Sequence, residues 1–111
     1  MKATKDFFTI SESRKKFRIP VEDIIRLEAS RVYSVFHLAS GEKYTCCKNI
    51  GTLNNILTEE NSFVRIHKSH LVNLNHMKEY QSRDGGVCVM RDGIALPISR
   101  GKKSKLLGYM K

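Results

Sequence analysis

Short apolar alternations separated by turn residues recur along nearly the whole chain, and no other feature narrows the fold as much. An apolar side chain at every second position turns one face of an extended segment to a core and the other to water, the pattern of an antiparallel β protein. Phe7 to Ile10 and Phe17 to Ile19 are the first candidate strands, on either side of the charged turn Ser13-Arg-Lys-Lys16. Asp23 to Glu28 follows, with Ile25 and Leu27 expected on one face. Val35 to Leu38, the Ser40-Gly41 turn and Lys43 to Cys47 read as a hairpin. The pattern returns in Phe63 to Ile66, Leu71 to Asn73 and Val87 to Met90, with turns at Arg83-Asp-Gly-Gly86 and Arg91-Asp-Gly93. Ile94, Leu96 and Ile98 alternate inward, and Pro97, which has no N–H to donate, places that segment at a sheet edge.

Two stretches read differently. Asn49 can cap a helix in which Ile50, Leu53, Ile56 and Leu57 share a face, which predicts about two turns. Gly51 lowers its intrinsic propensity, so this helix has to be held by docking against the sheet. After Ser99-Arg100-Gly101, Lys102 to Leu107 predicts a short C-terminal helix. One weak helix cannot supply both members of a helix-turn-helix, so polar side chains meant for a partner have to be carried by loops on the sheet.

No repeat or Pro/Gly/Ser linker divides the 111 residues, so one domain is expected over 1–111, with its core at about 17–107. A domain of that size buries roughly two-thirds of its unfolded surface, enough for an ordinary core without metal or disulfide. No apolar run approaches the roughly 20 residues that span a bilayer. Met1-Lys-Ala-Thr-Lys-Asp6 has charge but no apolar segment behind it, so no export signal is read and no membrane association is expected. Three cysteines cannot all pair within one chain, and the adjacent Cys46 and Cys47 would point to opposite faces of a strand. A reduced, cytoplasmic setting is the simplest expectation.

Twenty Lys and Arg against eleven Asp and Glu give a net charge of +9, more than solubility requires and suited to a polyanionic partner. The excess is concentrated at the C-terminal end, where Arg91 to Lys111 holds six basic residues and the single acid Asp92.

Phe63-Val-Arg-Ile-His-Lys-Ser-His-Leu-Val-Asn73 and Leu96-Pro-Ile-Ser-Arg100, with Gly101-Lys-Lys103 behind it, are the most telling segments. Together with Ile19-Pro-Val-Glu-Asp-Ile24, Ile25-Arg-Leu-Glu-Ala29 and the Asp92-Gly93 turn, their order and spacing resemble the LytTR DNA-binding domain from about Phe17 to Leu107. The resemblance implies an elongated, mainly β fold of several small antiparallel sheets with one short helix. It also implies a role as the output domain of a bacterial two-component response regulator, which binds promoter DNA through loops inserted into successive major grooves.

Carried over by position, the family's contacts fall in the loop after Ala29, in His67-Lys-Ser69 and at Ser99-Arg100. Arg31, Lys68 and Arg100 are the candidates for reading bases; an Arg can make two parallel hydrogen bonds to the O6 and N7 of guanine. Tyr33, His67, Ser69, Ser99, Lys102 and Lys103 are the candidates for the DNA backbone. Receiver-driven pairing in the family implies a domain that is monomeric alone and meets a second copy on paired double-stranded sites. No receiver segment is read in this chain, and no cofactor is expected.

Two other classes compete. A basic β surface with Phe and Tyr can stack the bases of RNA or single-stranded DNA, although no RNP1-like stretch is present. A metal-dependent hydrolase would use His67 and His70, but side chains three apart on an extended strand face opposite ways, whereas a metal needs them convergent; only a kink between them would remove that objection. No Gly-x-Ser-x-Gly, Walker loop or other catalytic signature appears, so a non-enzymatic domain is expected.

Overall fold

The computed structural model describes residues 7–110. The segment Met1 to Asp6, read above for an export signal, lies outside the described residues. Three antiparallel sheets account for the strands. A hairpin joins β1 (Phe7–Glu12) to β2 (Lys15–Pro20). The central sheet has the order β5-β4-β3-β7-β6, from β3 (Ile24–Ser30), β4 (Tyr33–Leu38), β5 (Lys43–Cys46), β6 (Phe63–His67) and β7 (His70–Asn73). The third sheet runs β10-β9-β8, from β8 (Met77–Gln81), β9 (Val87–Met90) and β10 (Ala95–Pro97). Helices are short: α1 is Ile50–Asn54 and α2 is Lys103–Gly108. The body is elongated, 43 × 34 × 24 Å.

The central sheet is buried on both faces, which is why its middle strands are apolar at consecutive positions. One face, with Ile24, Leu27, Phe36, Phe63 and Leu71, packs against Ile10 and Ile19 of the hairpin and Ile50, Leu53 and Leu57 around α1. The other, with Ile25, Val64, Ile66 and Val72, packs against Met77, Cys88, Met90 and Leu96 of the third sheet and Leu106 of α2. Asn73 is buried at the end of β7, donating from Nδ2 to Ile24 O (2.9 Å) while its Oδ1 accepts the Asn75 N–H (3.0 Å).

Several local expectations are corrected. Ile25 and Leu27 belong to opposite cores, because the register shifts between Ile24 and Arg26 and the extra residue turns Ile25 over. The helix after Asn49 is shorter than two turns. Its cap is present, with Asn49 Oδ1 accepting the Thr52 N–H at 2.8 Å, but Asn55 and Ile56 donate to carbonyls three residues back. That tightening turns Ile56 outward, 49% exposed. Ile94 is also exposed, at 42%, in the turn before β10. The first turn is only Ser13-Arg14, both at positive φ (51° and 67°), so β1 and β2 pair further than the apolar residues suggest. Strand β8 is not evident in the sequence, since Lys78, Glu79 and Gln81 hide the alternation. Pro97 does lie on an edge strand, and the C-terminal helix is present.

Candidate nucleic-acid interface

Two tight hairpins end on the same side of the central sheet. Arg31 and Val32 connect β3 to β4, whose last paired residues are Ser30 and Tyr33. Lys68 and Ser69 connect β6 to β7, with His67 paired to His70. Because β3 pairs antiparallel with β7, matching Glu28 to His70, both turns project from one end. The Ala29 N–H donates to Ser69 O at 2.9 Å and ties the first turn to the second. On the outer side of β6, the Ser99 N–H donates to Ile66 O at 2.8 Å and brings Ser99-Arg100 to that end as well. Strand spacings of ~4.8 Å put the three segments in a row on the order of 15 Å long.

The turns are braced from within. Arg65 donates from Nε to His67 O (2.9 Å) and from Nη2 to Lys68 O (2.8 Å), so one guanidinium holds both carbonyls around the turn. The Ser69 N–H donates to His67 Nδ1 at 3.1 Å, which leaves the proton of the neutral imidazole on Nε2, free to be donated. Arg31 is held at φ 61°, a left-handed conformation that a long side chain rarely adopts.

Arg31, Tyr33, Lys68, Arg100 and Lys102 are exposed, and His67, Ser69 and Ser99 are half-buried. No Asp or Glu occurs in Ala29–Tyr33, His67–His70 or Ile98–Lys103. Arg31, Tyr33, His67, Lys68, Ser69, Ser99 and Arg100 thus share one basic end. Lys102 extends it into a groove of about 490 Å³ that Arg65, Lys105, Glu59 and Glu60 also line. Lys103 leans the other way: a Cβ placed on Gly86 would lie 3.2 Å from the Lys103 Cε, so its stem covers the β8–β9 turn. Sequence reasoning did not single out Lys48 or Arg65. Lys48 reaches this end through its carbonyl, which accepts the Ser34 hydroxyl at 2.8 Å, and the pairing that places it there is not visible locally.

Behind the row, on the sheet face toward the second core, lies a charged cluster. His37 Nε2 is 3.0 Å from Glu28 Oε1, and the Arg26 Nη1 is 3.6 Å from the same oxygen. Burial works to raise the Glu28 carboxyl, but the His37 hydrogen bond and the Arg26 charge outweigh it and hold the group below its usual value. Burial pushes His37 down, against the pull of Glu28, and pushes His70 down with the help of neighbouring His67. Neutral imidazoles are therefore the favoured forms under the turns.

His67 and His70 also need a correction. They do not face opposite ways, because the turn intervenes and brings their rings to 5.3 Å, tilted by 45°, as a cross-strand pair. Convergence alone does not make a metal site. His67 Nδ1 is occupied by the Ser69 amide, and His76 Nε2 donates to Glu22 O at 2.7 Å, away from both. Among the described residues no three His, Cys, Asp or Glu side chains come together as a metal ion would need.

The family model of the LytTr DNA-binding domain matches residues 14–111 of this chain. The chain belongs to the LytTr DNA-binding domain family. Over 90 residues this LytTr domain is 33% identical to the CO-responsive transcriptional regulator RcoM of Rhodospirillum rubrum, covering 78% of the chain but 37% of that relative. The chain thus spans little more than a third of the length of the curated relative it matches. A solved LytTr DNA-binding domain from Bacillus cereus superposes with a TM-score of 0.79 at 22% identity, covering 96% of this chain and 97% of that one. That likeness carries the LytTr fold: a mainly β body of three small antiparallel sheets. DNA binding is the property that defines the family, and no described helix is long and apolar enough to cross a membrane.

Proposed function

We propose that this LytTr domain binds double-stranded promoter DNA in a sequence-specific way, as the non-enzymatic output domain of a cytoplasmic response regulator. The observation that carries the reading is the row of three donor-bearing turns on one end of one sheet, joined by the Ala29 to Ser69 and Ser99 to Ile66 hydrogen bonds. A two-stranded ribbon fits a major groove about 12 Å wide, and a row of roughly 15 Å reaches from such a groove to its flanking phosphates.

In this reading Arg31, Lys68 and Arg100 read bases, with Arg100 engaging guanine O6 and N7. Tyr33, His67, Ser69, Ser99 and Lys102 hold phosphates, His67 through its Nε2 proton. Lys103 adds to the field from the flank. Turns set on strands suit the task, because their side chains are positioned before DNA arrives and little ordering is left to be done on binding. The isolated domain is monomeric, and two copies meet on paired sites.

Selection of bound duplexes from a random library at fixed salt, followed by competition with single strands and RNA, tests the reading. A recurrent duplex motif is expected, bound far better than either competitor. Arg100→Ala should then cost about 1–3 kcal/mol on the selected site and relax one base pair, whereas Lys102→Ala should weaken all duplexes nearly equally and flatten the salt slope by about one. A preference for single strands, or indifference to both substitutions, refutes it.

A further inference from the structure

Among the described residues Val32 is the most exposed of the large apolar side chains, 66% accessible, and it stands at the apex of the β3–β4 hairpin beside Arg31 and Tyr33. Three described hairpins turn on two residues: Ser13-Arg14, Arg31-Val32 and Lys68-Ser69. Only the middle one presents an apolar side chain. Nothing local favours that choice. Two-residue hairpin turns favour Asn and Gly, which accept positive φ, and a β-branched residue in water gains neither packing nor hydrogen bonding. Arg31 beside it occupies φ 61°, so one residue of this turn holds a backbone conformation that its side chain disfavours, while the other leaves an apolar side chain without packing. Departures of this kind persist where the side chains are needed for something other than the fold.

The neighbourhood states what that is. Tyr33, Arg31, Lys68 and Arg100 lie along the same end with no carboxylate among their segments, a setting for a polyanion and not for an apolar protein surface. Within a major groove the one apolar feature on a base edge is the 5-methyl group of thymine; cytosine presents a bare C5–H in its place. We infer that Val32 is a specificity residue, whose methyl groups pack on the 5-methyl group of one thymine in the bound site. This rests on the reading of the hairpin as a major-groove element. It adds an apolar contact to a set of residues otherwise made of hydrogen-bond donors.

The test removes a single methyl group from the DNA. Each thymine of the selected duplex is replaced in turn by deoxyuridine, which pairs identically and lacks only that methyl, and affinity is measured by fluorescence anisotropy for the wild-type chain, Val32→Ala and Val32→Asn. One position is expected to weaken wild-type binding about fourfold, the effect of one buried methyl group, while both variants bind the thymine and uracil duplexes there equally. Asn suits a tight turn, so Val32→Asn keeps the comparison available if Val32→Ala misfolds, and the wild-type scan needs no variant. If no uracil substitution weakens the wild type, or if the loss persists unchanged in Val32→Asn, the Val32 assignment fails while duplex recognition stands. A chain that selects no duplex motif overturns the parent reading, and this one with it.

Discussion

Replacing Arg65 by Met separates a residue that shapes the interface from one that touches DNA. The guanidinium makes two hydrogen bonds to backbone carbonyls, 2.9 Å to His67 and 2.8 Å to Lys68, and so holds that turn from below. Hydrogen bonds from a charged donor contribute roughly 1.5–3 kcal/mol each when buried. Arg65 is only half-buried and the Lys68 bond is at the surface, so solvent reduces the pair to about 1–2 kcal/mol together. Met keeps the length of the stem and removes every donor. The turn then samples other conformations, and that cost appears on binding as a fall in affinity of about 5- to 30-fold on the selected duplex. Titrations from low to high salt discriminate the roles. If Arg65 is a brace, the substitution leaves the salt slope unchanged, whereas removing a cation that neutralises a phosphate lowers the slope by about one. Amide hydrogen exchange supplies the second readout, with Ser69 and His70 exchanging faster while the Leu27 and Phe36 amides of the core strands hold. Affinity within twofold of wild type, or a slope that falls by one, refutes the bracing role.

Other consequences follow from groups buried around the site. Asn73→Ala leaves the Ile24 carbonyl and the Asn75 amide without their partner and should destabilise the domain by about 2–4 kcal/mol in urea unfolding, with Asn73→Asp failing to restore it because it cannot donate to Ile24. His37 and His70 both titrate below the ordinary value of 6.5, so the unfolded chain takes up their protons first. Stability is therefore full above that pH and declines as pH falls through it towards the lowered folded values, with the decline reduced in a His70→Phe variant; a flat profile between pH 7 and pH 5 contradicts this. Cys47 is exposed whereas burial pushes Cys88 up to about 11, so a thiol reagent at neutral pH should label Cys47 in the native chain and Cys88 only after unfolding, as peptide mass mapping will show.

The strands that alternate cleanly are legible in the sequence, and those whose pattern is broken are not. Val87 to Met90 announces itself by apolar density because all four residues are buried, and Phe63 to Ile66 does so with Arg65 as its one polar residue. Met77 to Gln81 stays hidden because one buried Met is too small a signal beside Lys78 and Glu79. Ile25 is displaced from its expected face by a single-residue bulge, which no periodicity reports since it is itself a break in the period. His67 and His70 converge against expectation for a similar reason: spacing along the chain implies divergence, and a two-residue turn makes the rings neighbours.

Candidate site residues could be named from the sequence because the donors sit within a family pattern and in turns, both of which are local properties. Arg65 and Lys48 could not. Their part depends on carbonyls and pairings that exist only after β6 meets β7 and β4 meets β5. The chain by itself determined that it would form a basic, β-rich body with short polar turns, because alternation, turn chemistry and net charge are set residue by residue. Tertiary structure alone decided that the turns at Arg31 and Lys68 and the segment at Arg100 would stand in one row. That outcome follows from the order β4-β3-β7-β6, with Ser99 bonded to the outer side of β6. Pairing between strands some forty residues apart is chosen by how two cores close over one sheet, and no window of sequence contains that choice.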